Sequence, residues 1–264
     1  MQRLLKIIKI ISLIIFLTGV IFGLEFFWQK KSKNAEIVVP KTEQVELIAE
    51  SEVAIKNIEP EIKKESLPQE FLIQVPFSSQ APTGNWKKQL FQDGCEEASV
   101  VMAIAWTKNK KLTPAGVEKE IIGISNWEKR IFGYAVDASL VDVTRIVNEF
   151  YGYKNVKIIS GENAQNIKEE LAKKCVLLVP VDGKILANPH YTFPGPEQHM
   201  LVLKGFDDEQ KQFIANDPGT KFGENYVYDY DKFVAAIWSY PSGKEHAKYP
   251  TNGKVEKNII SICK

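Results

Sequence analysis

"FQDGCEEASVVMAIAW", Phe91 to Trp106, places a cysteine directly after Asp93-Gly94, follows it with two glutamates, and then turns apolar. Asp-Gly breaks a chain, and Ala98, Val101, Met102 and Ala105 recur at helical spacing. The stretch therefore predicts a helix from Cys95 to about Lys108, with the thiol at its amide-rich start. A free thiol has a pKa of about 8.5, and a helix N-terminus or a partner imidazolium lowers it. Glu96 and Glu97 act the other way, because carboxylates suit the helix end but raise the pKa of a neighbouring thiol unless they point away. These residues alone leave Cys95 either a nucleophile or a plain buried or surface cysteine.

A cysteine nucleophile needs a base, and the histidines are His190, His199 and His246. His199 heads "HMLVLKGF", a strand pattern in which Leu201 and Leu203 alternate with Val202. His190 lies in the proline-rich stretch "ANPHYTFPGPEQ" and His246 in a polar tail, where plain surface roles are more common. "QFIAND" follows as a second strand across an Asp207-Asp208 turn. That hairpin returns Asn216 or Asp217 to the neighbourhood of His199, where either could orient the ring, although "NDPG" is also explained as a turn.

Further helices are predicted over Thr113–Gly123, Asp137–Tyr151, Asn163–Lys174 and "YDKFVAAIWSY", with strands in "FLIQVPF" and "VLLVPV". Helices gathered early and antiparallel strands late predict an α+β domain.

Taken in order, "VPFSSQ", "DGCEEASVVMAIAW", "HMLVLKGFDDE" and "FIANDPG" resemble the successive blocks of the C39-like cysteine peptidase family, over about Phe71 to Tyr240. The resemblance implies a papain-like fold with Cys95 as nucleophile, His199 as general base and Asp217 as orienting acid. Gln80 would offer its side-chain amide to the oxyanion beside a backbone amide of the Cys95 helix. Where many members carry a small pair after the cysteine, this chain has Glu96 and Glu97. Tyr191 and Phe193, in the long stretch before His199, are available for substrate contact as part of a lid or cleft wall.

The rest of the chain bounds the setting. Residues 10–28, "IISLIIFLTGVIFGLEFFW", are long and apolar enough to span a bilayer as one transmembrane helix, with residues 1–9 as a cytoplasmic tail. No small-residue cleavage site follows them, so a retained signal anchor is expected, with the bulk of the chain outside the cell membrane. Residues 29–70 have no glycine and no aromatic residue, are rich in Lys and Glu, and read as a stalk. Residues 71–241 form the expected peptidase domain and 242–264 a C-terminal tail.

With 34 basic and 33 acidic residues, the net charge of +1 gives no field for nucleic acid. Three cysteines without a C-x-x-C pair exclude a zinc finger or a disulfide scaffold, and no cofactor or metal is implied. Cys175 reads as a small core residue, with a Cys175–Cys263 bridge open in an oxidising compartment. The expected function is a membrane-anchored cysteine hydrolase that cleaves peptide or amide bonds through a thioester, its substrate a protein, a peptide or a cell-wall peptide stem. The alternative is a catalytically silent peptide-binding module of the same fold.

Overall fold

"HMLVLKGFD" alternates its apolar side chains to both faces, so a strand made from it needs cover on two sides. The computed structural model, which describes residues 66–243 and 248–264, provides it. The expected anchor at 10–28, the segment 1–9, most of the stalk and His246 lie outside these residues. Among the described residues no helix is long and apolar enough to cross a membrane.

Seven antiparallel strands form one sheet: β1 (Glu70–Leu72), β2 (Val156–Ser160), β3 (Cys175–Val181), β4 (His199–Asp207), β5 (Gln212–Asn216), β6 (Tyr226–Asp229) and β7 (Asn258–Cys263). Their order is β2-β7-β3-β4-β5-β6, and β1 continues the β3 side of β4 by pairing with its far end. Period-two alternation divides the core. Val176, Leu178, Met200, Val202, Ile260 and Ile262 face one apolar cluster, while Leu177, Val179, Leu201, Leu203 and Ile259 face the other.

The first cluster is closed by α1 (Gln89–Gln92), α2 (Cys95–Thr107), α3 (Pro114–Ile131) and α4 (Leu140–Arg145), which runs on into a π-helical turn at Ile146–Phe150. The second is closed by α5 (Ala164–Ala172) and α7 (Tyr230–Ala236), while the short α6 (Gly183–Leu186) follows β3. The α+β class and the antiparallel sheet agree with the sequence reading.

Several boundaries do not. The helix at Cys95 is buried on every side from Cys95 to Trp106, rather than along a single apolar stripe. The helix expected to stop at Gly123 runs to Ile131, because Ile124 and Trp127 continue the buried face and Gly123 has room within it. The one expected at Asp137 starts at Leu140, since Asp137 has φ of 49° and Ser139 caps the helix by accepting from the Asp142 amide. The last helix ends at Ala236, where Ile237 bridges Val181 and the Trp238 amide donates to the Pro180 carbonyl.

The largest departure concerns 242–264. Read as a tail, this segment supplies β7, which lies inside the sheet between β2 and β3 with Ile259, Ile260 and Ile262 fully buried. Its charged approach, "KYPTNGKVEK", hides a short strand whose alternation is broken by Ser261. Cys175 and Cys263 are direct cross-strand partners, 4.1 Å apart at Cα, and form a disulfide across 88 residues. The open question about Cys175 is thereby answered.

Closing a loop of that length constrains the unfolded chain, and the double variant Cys175→Ser/Cys263→Ser is expected to lose about 2–5 kcal/mol of unfolding free energy. Denaturant titration checks this; an unchanged midpoint would mean that the β3–β7 pairing alone holds the strand.

Candidate active site

Gly94 ends the turn after α1 and caps α2 without a side-chain bond, so Cys95 occupies the first helical position. One turn on, the Ser99 hydroxyl donates to the Met200 carbonyl at 3.2 Å. That bond pins the cysteine helix to β4 beside His199. Cys95 and His199 line one cavity of about 740 Å³, together with Gln80, Trp86, Tyr191, Phe193, Gln198, Gly219 and Phe222.

The ring of His199 is fixed from behind. Its Nε2 lies 2.8 Å from Asp217 Oδ1, which also accepts from the Gly219 amide at 2.9 Å. The other carboxylate oxygen accepts from Asn188 Nδ2 at 3.1 Å, from the Tyr191 hydroxyl at 2.6 Å and from the Tyr228 hydroxyl. Burial alone would push the Asp217 carboxyl up, but the His199 charge and these donors hold it down at about 2. Its contribution to stability is in place above the ordinary carboxylate range near ~4 and is lost as pH falls through that low value.

Gly219 lets the backbone approach the ring. A Cβ there would stand 2.9 Å from His199 Cε1 and 3.0 Å from Tyr191 Cε1. The hairpin turns out to bring Asp217, rather than Asn216, to the histidine; Asn216 Nδ2 instead donates to the Val75 carbonyl at 3.0 Å.

Three expected residues have more specific surroundings than the sequence indicated. Tyr191 lines the cavity, but its hydroxyl is committed to Asp217 and its ring stands edge-on to His199, 5.3 Å between centroids. Its hydroxyl thus bonds the same carboxylate that holds the histidine. Phe193 sits on the rim, 94% exposed, where an apolar ring has water to lose to a ligand. Gln80 donates both amide hydrogens to main-chain carbonyls, Phe91 at 2.9 Å and Gln92 at 2.8 Å, while its Oε1 is buried without a partner. The amide expected to serve an oxyanion is thus engaged with α1.

The thiol differs most from expectation. Cys95 Sγ donates to Glu96 Oε2 at 3.0 Å, and the Tyr240 hydroxyl donates to the other Glu96 oxygen at 2.7 Å. Burial and then the Glu96 charge push the Cys95 thiol well up, against a smaller downward pull from the Met200 backbone. Burial also raises Glu96, to about 7; burial and then repulsion from Glu128 and Glu96 push Glu97 well up, and burial raises Glu128 to about 8, with repulsion from Glu96 and Asp142 adding to it and a hydrogen bond with Glu97 opposing it.

Asn188 and Tyr228 were missed, because a lone Asn in a loop and a Tyr in a four-residue strand carry no sequence signal for this role. A metal finds little here. Among the described residues the cluster dense enough to hold one is Glu170, Cys175 and Cys263, whose sulfurs are tied in the disulfide.

A buried thiol at a helix start and a carboxylate-held imidazole on one cavity define the class as cysteine peptidases, hydrolases that act on peptides or proteins. The chain belongs to the Peptidase_C39 like family, whose model matches residues 72–246. No curated protein matches its sequence. Among solved structures it is similar to one described as a C39-like peptidase from Bacillus anthracis, at 13% identity over 74% of this chain and 98% of that one, with a TM-score of 0.48. It is also similar to xylellain, a cysteine protease from Xylella fastidiosa, at 14% identity over 75% and 87%, with a TM-score of 0.47.

If the Glu96 charge holds the thiol proton, Glu96→Gln is expected to move the pH midpoint of Cys95 alkylation down by about one unit or more. An unmoved midpoint would assign the raised pKa to burial alone.

Proposed function

We propose that this chain is a membrane-anchored cysteine peptidase working outside the cytoplasm, with Cys95 as nucleophile, His199 as base and Asp217 as the acid that orients the base. One observation carries the reading: His199 is tethered through Nε2 to an ionised carboxylate, which leaves Nδ1 for the cavity that Cys95 also lines.

His199 Nδ1 takes the thiol proton as Sγ attacks the scissile carbonyl carbon. The tetrahedral adduct then collapses, the imidazolium gives its proton to the leaving amine, and a thioester to Cys95 remains. Water, losing a proton to Nδ1, attacks the thioester; the acid leaves and the thiol is restored. The oxyanion draws on a backbone N–H at the start of α2, with Gln80 as second donor once it exchanges one main-chain carbonyl for the substrate oxygen. Glu96 competes with His199 for the thiol proton, so the neutral form of Glu96, favoured below about pH 7, eases thiolate formation.

The setting rests on residues 10–28 as anchor and 29–70 as stalk, and the Cys175–Cys263 disulfide fits an oxidising compartment. The acyl group cleaved belongs to a protein, a peptide or a cell-wall peptide stem. A catalytically silent peptide-binding module is the second reading, favoured by the protonated, Glu96-bound thiol.

Turnover of a fluorogenic peptide library separates the two. Asp217→Asn is expected to keep the fold and lower kcat by about 10³–10⁴-fold, and full activity would remove Asp217 from the mechanism. Gln80→Ala is expected to cost about 10–10³-fold in kcat with KM little changed. Cleavage nowhere in the library, with retained peptide binding, would support the silent module. Protease added to intact cells is expected to release the domain; protection would put it in the cytoplasm.

A further inference from the structure

The wall of the reaction cavity is one-sided in charge. Lys221 and His190 line it together with Cys95 and His199, and among the described residues no aspartate or glutamate does. The carboxylates that flank the lining residues in sequence have partners of their own: Asp217 has His199, Glu96 has the thiol and Tyr240, Glu197 has Lys184 and Asp93 has Gln89. Glu224, in the same turn as Lys221, makes no ion pair with it. The Lys221 ammonium rests instead over the Phe222 ring, 4.8 Å from the centroid.

His190 approaches that same ring. Its imidazole lies 4.8 Å from Phe222, and its backbone N–H donates at 3.0 Å to Oδ1 of Asn188, whose amide in turn bonds Asp217. The turn that carries Lys221 is closed by the Asp217 N–H donating to the Gly223 carbonyl at 2.9 Å. It closes so tightly that a Cβ on Gly223 would stand 1.8 Å from the Asp217 carbonyl oxygen. Both basic residues are therefore placed by segments that also hold the buried acid. They are close to the imidazole along the chain as well. His190 adjoins Tyr191, whose ring stands against His199, and Lys221 lies two residues past Gly219, whose backbone packs on that ring, a span of about 7 Å at most.

We propose that Lys221, with His190 beside it, forms a subsite for a carboxylate of the peptide substrate a few residues from the scissile bond. Two basic groups gathered on one ring with no anion between them leave their charge to be answered by a ligand. An ammonium and an imidazole N–H both donate to carboxylate oxygens, and an aromatic-walled cleft strengthens the attraction. A basic side chain in the same place would meet like charge. The carboxylate belongs either to an Asp or Glu side chain or to the C-terminus of a short peptide, and the chemistry recognised is the same. The inference rests on the peptidase reading, since cleavage is what the subsite makes selective.

The test uses the full chain and internally quenched peptides of one apolar frame that carry Glu, Gln or Lys in turn at each position flanking the central bond. Every peptide is made with a free and with an amidated C-terminus. At the favoured position the Glu peptide is expected to exceed its Gln counterpart in kcat/KM by about tenfold or more, chiefly through KM, with the Lys peptide slowest. Dependence on the free C-terminus instead would support the subsite and place the carboxylate at a chain end. Lys221→Glu is expected to reverse the order and make the Lys peptide the better substrate, a gain that a damaged fold does not produce. His190→Ala is expected to cut the preference for a carboxylate about threefold, and an unchanged preference would remove His190 from the subsite.

Equal rates for Glu, Gln and Lys, with amidation also without effect, would overturn the subsite and leave the peptidase standing. A carboxylate preference that survives Lys221→Glu would overturn it as well, since another cation would then be responsible. Cleavage of none of the peptides would instead sink the peptidase reading, and the inference with it.

Discussion

A carboxylate with no exposure to solvent survives as an anion only when donors surround it, and Asp217 meets that condition with a histidine, an asparagine, two tyrosines and a backbone amide. The five donors come from four places: β4, the loop after α6 that carries both Asn188 and Tyr191, β6 and the Gly219 turn. Satisfying one charge therefore fixes the relative positions of those segments. The long loop before His199 is held by Asn188 and Tyr191, and its cavity-lining residues inherit that order.

The carboxylates on the other side of the thiol show the same physics with the opposite sign. Glu96, Glu97 and Glu128 are as buried as Asp217, yet no lysine or arginine answers them strongly enough, and their pKa values rise instead of falling. Burial in a protein does not by itself set a protonation state; the neighbours decide. The site thus has an anionic acid behind the imidazole and protonatable acids behind the sulfur.

What the sequence disclosed follows from how local each signal is. The helix start at Cys95, the strand at His199 and the hairpin to Asp217 are written in adjacent residues, and the structure keeps all three. Glu96 was visible as a problem for the thiol, but its direction was not, because pointing toward or away depends on Tyr240, 144 residues on. Gln80 lay near the cysteine as expected, while the acceptors of its hydrogens belong to a four-residue helix too short to announce itself. The strand β7 was lost in its charged surroundings, and Asn188 and Tyr228 matter only through a carboxylate that the fold brings to them.

The place of β7 has a consequence for how the domain is made. Its two sheet neighbours, β2 and β3, are synthesised about a hundred and about eighty residues before it, yet neither can pair with the other while the strand between them is missing. Until Asn258–Cys263 arrives, each presents a bare edge of unpaired amides and carbonyls, the kind of edge that templates aggregation. Cys175 likewise lacks its disulfide partner until Cys263 is made. For the roughly one hundred residues of synthesis between β2 and β7 the sheet therefore stays open between β2 and β3, and the disulfide that closes it forms only once Cys263 is in place.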